Sequence, residues 1–325
     1  MARTLEGNFE LPAQVRFARS ALGESFEGKV SSGAFTLTLP RLSDDPDESR
    51  FSVCSPFPDN HRISPGPPFD SWGRGGTFPS GDGNYENPIS SYVQRVAFTL
   101  VEATETDDEI WNFAVRFGHE IDIWFSVIAE WLDLWTGQRL HPDDNRPPTT
   151  SGHISEVSEE VKGGSGWSPG GEAFIGGEAV TKSIMAAACS RANENDFPPD
   201  EWRLFLKAVR WRSMRLGVID AATAAEIAIE KRLFAELSSR FKSGDREPEK
   251  RIADCKGISD KLTMLECISP PERSRVRRVN DRIARPRNNA VHAGKVPDQS
   301  TTVRLLKTAR ELLDVYSPLF RPESP

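Results

Sequence analysis

Apolar and polar residues alternate along the first forty positions, and this pattern predicts β-strands. Residues 9–11, 15–17, 26–30 and 35–39 each place every second side chain on one face, and turn residues separate them. Regular structure resumes at residues 92–101, where a further strand is expected. The amino-terminal part of the chain is therefore expected to contain a sheet.

The period then becomes helical. Residues 106–109 (TDDE) have the sequence of a capping box, and the helical pattern that follows reaches about Trp135. Trp124, Ile128, Trp131 and Trp135 recur at i, i+4, i+7 and i+11, on one helical face. Such an aromatic stripe can serve as a ligand platform or a partner surface. Large apolar residues at helical spacing are usually buried, so we expect this stripe to form the core of the amino-terminal domain.

Two segments rich in proline and glycine interrupt these patterns. Residues 41–90 contain eight prolines and six glycines, so they bury too little apolar surface to offset their ordering entropy and are expected to form a long loop or to be disordered. The glycines of residues 141–172 match no nucleotide-binding loop and indicate a linker. We therefore divide the chain into an acidic, β-rich or mixed domain at 1–140, a linker and boundary region at 141–195, and a helical bundle at 196–325.

The last third of the chain has a helical pattern throughout. Helices are expected at 200–216, from an N-cap at Asp220 to about 241, around 258–268, from Arg287 onward because Pro286 favours a first turn, and at 300–316. Short connections between such helices indicate a bundle. Together with the sheet expected in the amino-terminal part, the bundle makes the expected fold class α+β. The side chains expected on the inner faces include Trp202, Phe205, Leu206, Val209, Met214, Ala224, Ile227, Ala228, Phe234, Leu237, Val303, Leu306 and Leu313.

Charge is distributed unevenly along the chain. The net charge of −7 combines residues 1–195, with 15 basic against 29 acidic residues, and residues 196–325, with 26 against 19. Within residues 271–310 there are eleven basic residues and three acidic ones. An acidic first part joined to a basic last part is typical of a chain with one module that binds a polyanion. A solvated basic helix face is the alternative, and charge alone does not separate the two.

Composition narrows the class of protein. No apolar run approaches the roughly 18 residues that a membrane helix needs, and the first residues lack an apolar signal core, so we expect a cytoplasmic protein without membrane contact. The four cysteines and five histidines are scattered, with no Cys-x-x-Cys pair. This spacing indicates neither a disulfide framework nor a zinc site, so we expect no metal and no cofactor.

One motif in the basic region resembles a known family. Residues 287–294 (RNNAVHAG) look like the R-x(4–6)-H motif of the HEPN superfamily, with a polar residue after the arginine and small residues after the histidine. Upstream, residues 257–265 are similar to the segment that precedes the motif in abortive-infection-like members, and an amphipathic closing helix lies downstream. The resemblance covers roughly residues 200–317. By itself R-x(4)-H is very unspecific, and its position between two such helices makes it more specific.

The resemblance implies a carboxy-terminal all-α HEPN bundle that acts as a homodimer and cuts RNA without a metal ion. In such a reaction the 2′-hydroxyl attacks the adjacent phosphorus and leaves a 2′,3′-cyclic phosphate and a 5′-hydroxyl. The chemistry suits the residues present, because an imidazole such as that of His292 exchanges protons near neutral pH. Arg287 offers a forked set of donors to the phosphoryl oxygens as charge develops.

The remaining roles follow from spacing. Asn288 lies four residues before His292, so on a helix it shares a face with the imidazole and could orient it or the phosphate. Arg287 lies about 140° from His292 around such a helix, and its long side chain would have to swing back. Arg285, Lys295 and Asn289 flank these residues and are expected to contact the RNA backbone. The resemblance also implies a polar residue near the site on a preceding helix, so Glu226 is a further candidate for substrate binding, with a solvated helix flank as the alternative.

Other interpretations remain open. A histidine late in a helix is more often a structural hydrogen-bonding group than a catalyst, and Arg287 could pair with Glu226 or Glu230. Some HEPN domains bind RNA, a nucleotide or an acidic partner without catalysis. By family analogy the protein is expected to be a toxin or antiviral-defence effector whose amino-terminal domain senses a trigger or contacts an antitoxin. Alternatively, the amino-terminal domain carries the activity and the bundle only dimerises.

Overall fold

The computed structural model describes residues 4–42, 53–54, 56, 72–77, 90–102, 110–138, 140, 151–156, 165–167, 177–210, 213–241, 246–269 and 278–322. The chain forms two compact units, Met1–Phe197 with Arg321–Pro325, and Pro198–Phe320. The fold is mixed, with an antiparallel sheet in the first unit and helices in the rest of the described chain. None of the described helices has both the length and the apolar composition needed to cross a membrane.

The first unit is built on an antiparallel sheet. In the described residues its strands lie in the order β2-β3-β7-β1-β8-β9, and β6 also pairs with β7, while β4 and β5 form a separate pair. The strands are β1 (Thr4–Ala18), β2 (Ser25–Val30), β3 (Gly33–Thr38), β4 (Arg41–Leu42), β5 (Val53–Cys54), β6 (Gly73–Thr77), β7 (Ser90–Glu102), β8 (Ser151–Glu156) and β9 (Ser165–Trp167).

Strand β1 is central to the sheet and contains a proline. Its register against β7 shifts between Glu10 and Val15, and Pro12 lies within that interval. A proline has no N–H to donate to the ladder, so it is tolerated where a bulge interrupts the pairing. The bulge lets one long strand contribute to pairing with β7 on both sides of the proline.

The core of the first unit is aromatic and lies between the sheet and helix α1 (Ile110–Thr136). Phe98 packs on Phe117 with ring centroids 4.9 Å apart, and Phe35 meets Trp124 edge to face at the same distance. Opposite Phe35 on β2 is Gly28, where a Cβ atom would lie 2.1 Å from the Phe35 ring. The glycine therefore makes room for the aromatic ring that joins sheet and helix.

Helix α2 (Lys182–Asn193) ends on a polar bridge to this core. The side-chain oxygen of Asn193 accepts a hydrogen bond from the Trp124 indole at 2.9 Å and one from the backbone of Lys29 at 2.8 Å. Its amide donates to the carbonyl of Glu27 at 3.1 Å. One side chain thus ties α2 to α1 and to β2.

The strand and helix predictions for the first unit are confirmed where the structure describes them. Strands cover residues 9–11, 15–17, 26–30 and 92–101, the strand expected at 35–39 ends at Thr38, and the helix ends within one residue of Trp135. The aromatic stripe lies in the core, since Trp124, Ile128, Trp131 and Trp135 are each at most 4% exposed. The expected capping box at 106–109 lies outside the described residues.

The breaks in the pattern differ from expectation. Residues 41–90, expected as a long loop or disordered, contain β4, β5 and β6 among their described positions, and the other positions are outside the description. The region 141–195, expected as a linker, contributes β8, β9 and α2 to the first unit, and the division falls between Phe197 and Pro198. Strand β8 joins the sheet through backbone hydrogen bonds to β1. It therefore does not need an alternating apolar sequence, which is the pattern that predicts a strand.

In the second unit, all of the regular secondary structure that is described is helical. Helix α4 runs through it and contacts each of the other helices described there. The helices are α3 (Asp200–Arg210), α4 (Met214–Ser238), α5 (Glu247–Ala253), α6 (Ile258–Ile268), α7 (Arg285–His292), preceded by a π turn at Asn280–Ala284, and α8 (Gln299–Tyr316).

The expected helix at 200–216 is wrong, because α3 ends at Arg210 and α4 begins at Met214. The Ser213 hydroxyl caps α4 by accepting from the Leu216 N–H at 3.5 Å, so Asp220 lies inside the helix rather than at its start. The buried face of α4 is made of small residues, Ala221, Ala222, Ala224, Ala225 and Ala228. Some larger residues expected inside are instead exposed, namely Val209, Met214, Phe234 and Val303.

A buried carboxylate links α3, α4 and the end of α8. Glu201 is fully buried, and both of its oxygens accept hydrogen bonds from Lys231 Nζ, at 2.6 and 2.8 Å. The Ser317 hydroxyl also donates to it. Burial raises the pKa of Glu201, but the hydrogen bonds from Lys231 and Ser317 outweigh burial and hold the pKa below its usual value. The carboxylate is therefore ionised in the folded protein.

Replacing Trp124 should destabilise the first unit through packing more than through its hydrogen bond. We expect Trp124→Phe to cost about 1 kcal/mol, because it removes the bond to Asn193 and keeps an aromatic ring against Phe35. Trp124→Ala should cost about 3–5 kcal/mol, because it leaves a cavity between helix and sheet. Urea unfolding followed by circular dichroism measures both, and equal losses in the two variants would contradict this account of the core.

Glu201→Gln should destabilise the second unit in a pH-dependent manner. A carboxyl whose pKa is lowered by folding stabilises the protein above its unfolded pKa of about 4.3, and this stabilisation is lost as the pH falls through the folded pKa. We expect a loss of about 1–3 kcal/mol at pH 7 and a smaller loss near pH 3, from urea unfolding at both values. Glu247→Gln, which removes a half-exposed i,i+4 pair with Arg251, is the control and should change stability by less than about 0.5 kcal/mol. A loss that is independent of pH would contradict the ionised state of Glu201.

Candidate functional site

The basic motif lies on a continuous helix rather than at the start of one. Residues 278–279 are α-helical, the π turn Asn280–Ala284 follows, and α7 continues directly as Arg285–His292. The N–H of Arg285 reaches back five residues to the carbonyl of Asn280. The expectation that Pro286 opens a new helix is therefore wrong. A proline ring crowds the carbonyl four residues before it, and the wider π turn in the preceding residues gives it room.

Helix α7 ends directly after His292. Gly294 adopts φ +62°, a left-handed conformation that favours glycine, and the N–H groups of Ala293 and Lys295 both donate to the carbonyl of Asn289 at 3.2 Å. The small residues after the histidine thus terminate the helix. They also turn the chain so that Lys295 begins the loop towards α8.

The start of α8 is held by Asp298. Its carboxylate accepts from the Ser300 hydroxyl at 2.7 Å and from the Thr301 N–H and hydroxyl, both at 2.8 Å. These hydrogen bonds, the one from Ser300 first, hold the pKa of Asp298 far below its usual range. Both oxygens of this carboxylate are therefore engaged in capping the helix.

The motif side chains differ in exposure. Ala290 is the buried residue of α7, Asn288 and His292 are exposed, and Arg287 is half-buried. A guanidinium nitrogen of Arg287 donates to the side-chain oxygen of Asn288 at 3.4 Å. Among the residues that the structure describes, the imidazole of His292 has no hydrogen-bond partner. The described residues therefore give no support to the alternative that His292 is a structural hydrogen-bonding group.

The helix spacing separates the two predicted catalytic groups. Both Arg287 and His292 lie within the regular α-helix α7, so about 140° of rotation around its axis divides them. Asn288 and His292 are four residues apart and share a face. Among the described residues of one chain, the Arg287 guanidinium hydrogen-bonds to Asn288.

A groove lies beside α7 and contains three of the expected substrate-binding residues. Arg285, Asn289 and Lys295 line it together with Arg282 and Arg304, around a volume of about 500 Å³. We call this feature the cationic groove. Asp281 and Asp298 also line it, whereas Arg287, Asn288 and His292 do not. The structure thus brings together the three residues that were expected to contact an RNA backbone, at a place whose lining does not include the predicted catalytic groups.

Glu226, the fourth expected substrate-binding residue, does not line the cationic groove. Lys261 of α6 donates to Glu226 at 2.9 Å and to Glu230 at 2.7 Å, and its side chain is only 11% exposed. Burial lowers the pKa of Lys261, but the hydrogen bonds to Glu230 and Glu226 outweigh burial and raise it above its usual value. This arrangement favours a structural role for Glu226. It also occupies the two carboxylates that were alternative partners for Arg287.

Arg215 is a neighbour of the motif that the sequence did not reveal. It lies in the first turn of α4, and its Nε donates to the carbonyl of Ala290 at 2.9 Å. The residues beside it, Met214 and Leu216, are 42% and 41% exposed, and Val291 of α7 is 36% exposed. The pattern of α4 gave no signal for this contact, because it depends on where the third-last residue of α7 meets the start of α4. The contact adds a cation beside the motif helix.

Other candidate ligands are dispersed. Within the described ranges, no group of three His, Cys, Asp or Glu residues is arranged to hold a metal ion. His119 is exposed on α1, His61 and His141 lie outside the described residues, and the side chain of His153 on β8 is not described. The expectations of no metal and no cofactor remain predictions.

Lys261→Met should destabilise the second unit, because it leaves Glu226 and Glu230 as two like charges without their shared cation. We expect a loss of about 1–3 kcal/mol in the free energy of unfolding at pH 7, measured with urea. Lys250→Met, at an exposed position of α5, is the matched control and should change stability by less than about 0.5 kcal/mol. Equal stability of the two variants would show that the Lys261 cluster contributes nothing to folding.

Comparison with known proteins adds no assignment to this geometry. The chain matches no protein-family model, no curated protein and no solved structure.

Proposed function

We propose that the protein is a metal-independent endoribonuclease of the HEPN type, with Arg287, Asn288 and His292 of α7 as its cleavage residues. The observation that carries the proposal is the state of His292, which is exposed at the end of a basic helix with its imidazole unpartnered among the described residues. An imidazole in this state is open to solvent and to a substrate. It can exchange a proton with the 2′-hydroxyl or with the 5′-oxygen leaving group.

The electrostatic surroundings support an anionic substrate. Arg287 has no carboxylate partner among the described residues, so its charge remains available to phosphoryl oxygens as they become more negative. Asn288 contacts Arg287 and shares a face with His292, which lets it hold either group in position. The expected products are RNA ends with a 2′,3′-cyclic phosphate and a 5′-hydroxyl.

A homodimer would resolve the separation of Arg287 and His292 around α7. Two α7 helices that face one another supply two arginines and two histidines to one shared site, so groups on different faces of one helix can meet the same phosphate. The exposed side chains of Met214, Leu216 and Val291 beside the motif support such an interface, because apolar side chains at the centre of an interface gain by burial. A toxin or antiviral-defence role, with the amino-terminal unit sensing a trigger or an antitoxin, is part of this proposal.

A second candidate function is RNA binding or dimerisation without catalysis. It is favoured by the cationic groove, which gathers Arg285, Asn289 and Lys295 but not the predicted catalytic groups. In this alternative the groove holds an RNA, a nucleotide or an acidic partner, and α7 contributes no chemistry.

His292→Ala should abolish RNA cleavage while leaving the fold intact. Purified wild type and variant are incubated with end-labelled single-stranded RNA and tRNA in excess EDTA, and the new ends are analysed. We expect wild-type cleavage with cyclic phosphate ends and a loss of at least about 10²-fold in the variant, since general acid–base catalysis contributes about 10²–10⁴-fold. Arg287→Lys keeps the charge but loses the forked donors, so it should retain a small part of the activity.

The control for this experiment is His119→Ala, at an exposed position of α1 in the first unit. It should cut RNA at the wild-type rate. Cleavage that persists unchanged in His292→Ala would remove His292 from the mechanism. Binding of intact RNA by the wild type, with no cleavage under any condition, would favour the non-catalytic alternative.

A further inference from the structure

The cationic groove carries more positive charge than its own carboxylates balance. Four cations line it, Arg282, Arg285, Lys295 and Arg304, against the two acids Asp281 and Asp298. The charge of Asp298 is directed into the cap of α8 by bonds to Ser300 and Thr301. Asp281 approaches Arg285 at 3.8 Å, and both side chains are more than three-quarters exposed, so this pair is weak. The groove thus retains an excess of positive charge.

Three of the cations are available to a ligand. Arg304 is oriented by neutral groups, since it donates to the carbonyl and the hydroxyl of Ser300 at 3.2 and 3.3 Å. Neither Arg282 nor Lys295 has a side-chain hydrogen bond or ion pair to any residue that the structure describes, and both are exposed. Side chains whose charge is not balanced within the fold are those that gain most from an external anion.

The walls of the groove indicate how an anion would be recognised. Among the described residues that line it there is no aromatic side chain, so the groove has no aromatic platform on which a base can stack. Its neutral lining includes Pro286 and only two side chains that could hydrogen-bond a base edge, Asn289 and Thr301, against four cations. Arginine and lysine recognise phosphates through charge and N–H donors. The chemistry present therefore suits a chain of phosphates better than a base.

We propose that the cationic groove binds the phosphodiester backbone of a single-stranded nucleic acid by charge, without selecting bases or the sugar. The groove holds the strand beside the cleavage residues, so Arg282 and Arg304 are substrate-positioning residues. This inference deepens the proposed nuclease function and rests on it only for the role of the bound strand. Because the groove does not read the 2′-hydroxyl, a DNA strand that the nuclease chemistry cannot cut binds there as well as RNA.

The test measures binding separately from cleavage. Full-length His292→Ala serves as the background, and fluorescence anisotropy follows its binding to labelled single-stranded RNA and to DNA of the same base sequence over a range of salt concentrations. We expect the two strands to bind with affinities within about twofold of each other. The slope of log K against log salt should be about −2 to −3, since each of three or four phosphate contacts contributes about −0.7.

Variants locate the binding in the groove. Arg282→Gln and Arg304→Gln should each weaken binding about fivefold at 0.1 M salt and make the salt slope shallower by about 0.7. Arg282→Lys and Arg304→Lys keep the charge and should restore most of the affinity, which separates loss of charge from loss of folding. Lys250→Gln, an exposed cation that does not line the groove, is the matched control and should bind as the parent does.

The outcomes distinguish the groove from the nuclease. Unchanged affinity in both glutamine variants would overturn the proposal, as would binding of RNA without binding of DNA. Wild-type protein that binds both strands through Arg282 and Arg304 but never cuts RNA would support the proposed binding role of the groove and contradict the proposed nuclease function. Wild-type cleavage of RNA, together with a binding affinity that does not depend on these arginines, would support the nuclease function and contradict the binding role of the groove.

Discussion

The second unit depends on the burial of one alanine-rich helix face. The small side chains of α4, from Ala221 to Ala228, allow close approach of the surrounding helices, and α4 contacts α3, α5, α6, α7 and α8. Close packing of small residues leaves little room for adjustment, so the neighbours are fixed in rotation as well as in position. Polar residues of α4 then reach three of these neighbours, Lys231 to Glu201 of α3, Glu226 and Glu230 to Lys261 of α6, and Arg215 to the carbonyl of Ala290 of α7. The motif helix is thus held by the same element that organises the core.

Elements set by local pattern were predictable from the sequence, and those set by tertiary contact were not. Strict alternation located β2, and helical spacing of tryptophans located the buried face of α1, because in each case the side chains that define the pattern are also the ones that pack. The strand β8 is polar in sequence and takes its place by backbone pairing with β1. The break between α3 and α4 was missed because apolar residues continue across it, from Val209 to Met214, and both turn out to be exposed.

The site shows the same division. The sequence identified a basic segment and the R-x(4)-H spacing, and both predicted that function would concentrate near α7. It also predicted backbone contacts at Arg285, Asn289 and Lys295, which the structure places in one groove. The contributions of Arg282 and Arg304 were not visible, because they depend on how the π turn and the start of α8 come together around the loop at Lys295. The separation of Arg287 and His292 by about 140° around the helix was predictable, since it follows from helical geometry alone.

The separation of groove and motif matters for how the proposed enzyme would use its binding energy. Contacts to a backbone phosphate away from the scissile bond are equally strong before and during the reaction, so their contribution is to bind and orient the strand rather than to stabilise charge that develops in the transition state. Only Arg287, Asn288 and His292 would meet charge and protons that change in the transition state. A strand held by Arg282 and Arg304 has already lost much of its freedom of motion when it reaches the imidazole, and positioning of this kind is one of the larger contributions to catalysis. The groove would therefore let a small set of exposed residues act on an RNA without reading its sequence. Selectivity among RNAs would then have to come from elsewhere, from strand conformation or from a signal that controls access to α7.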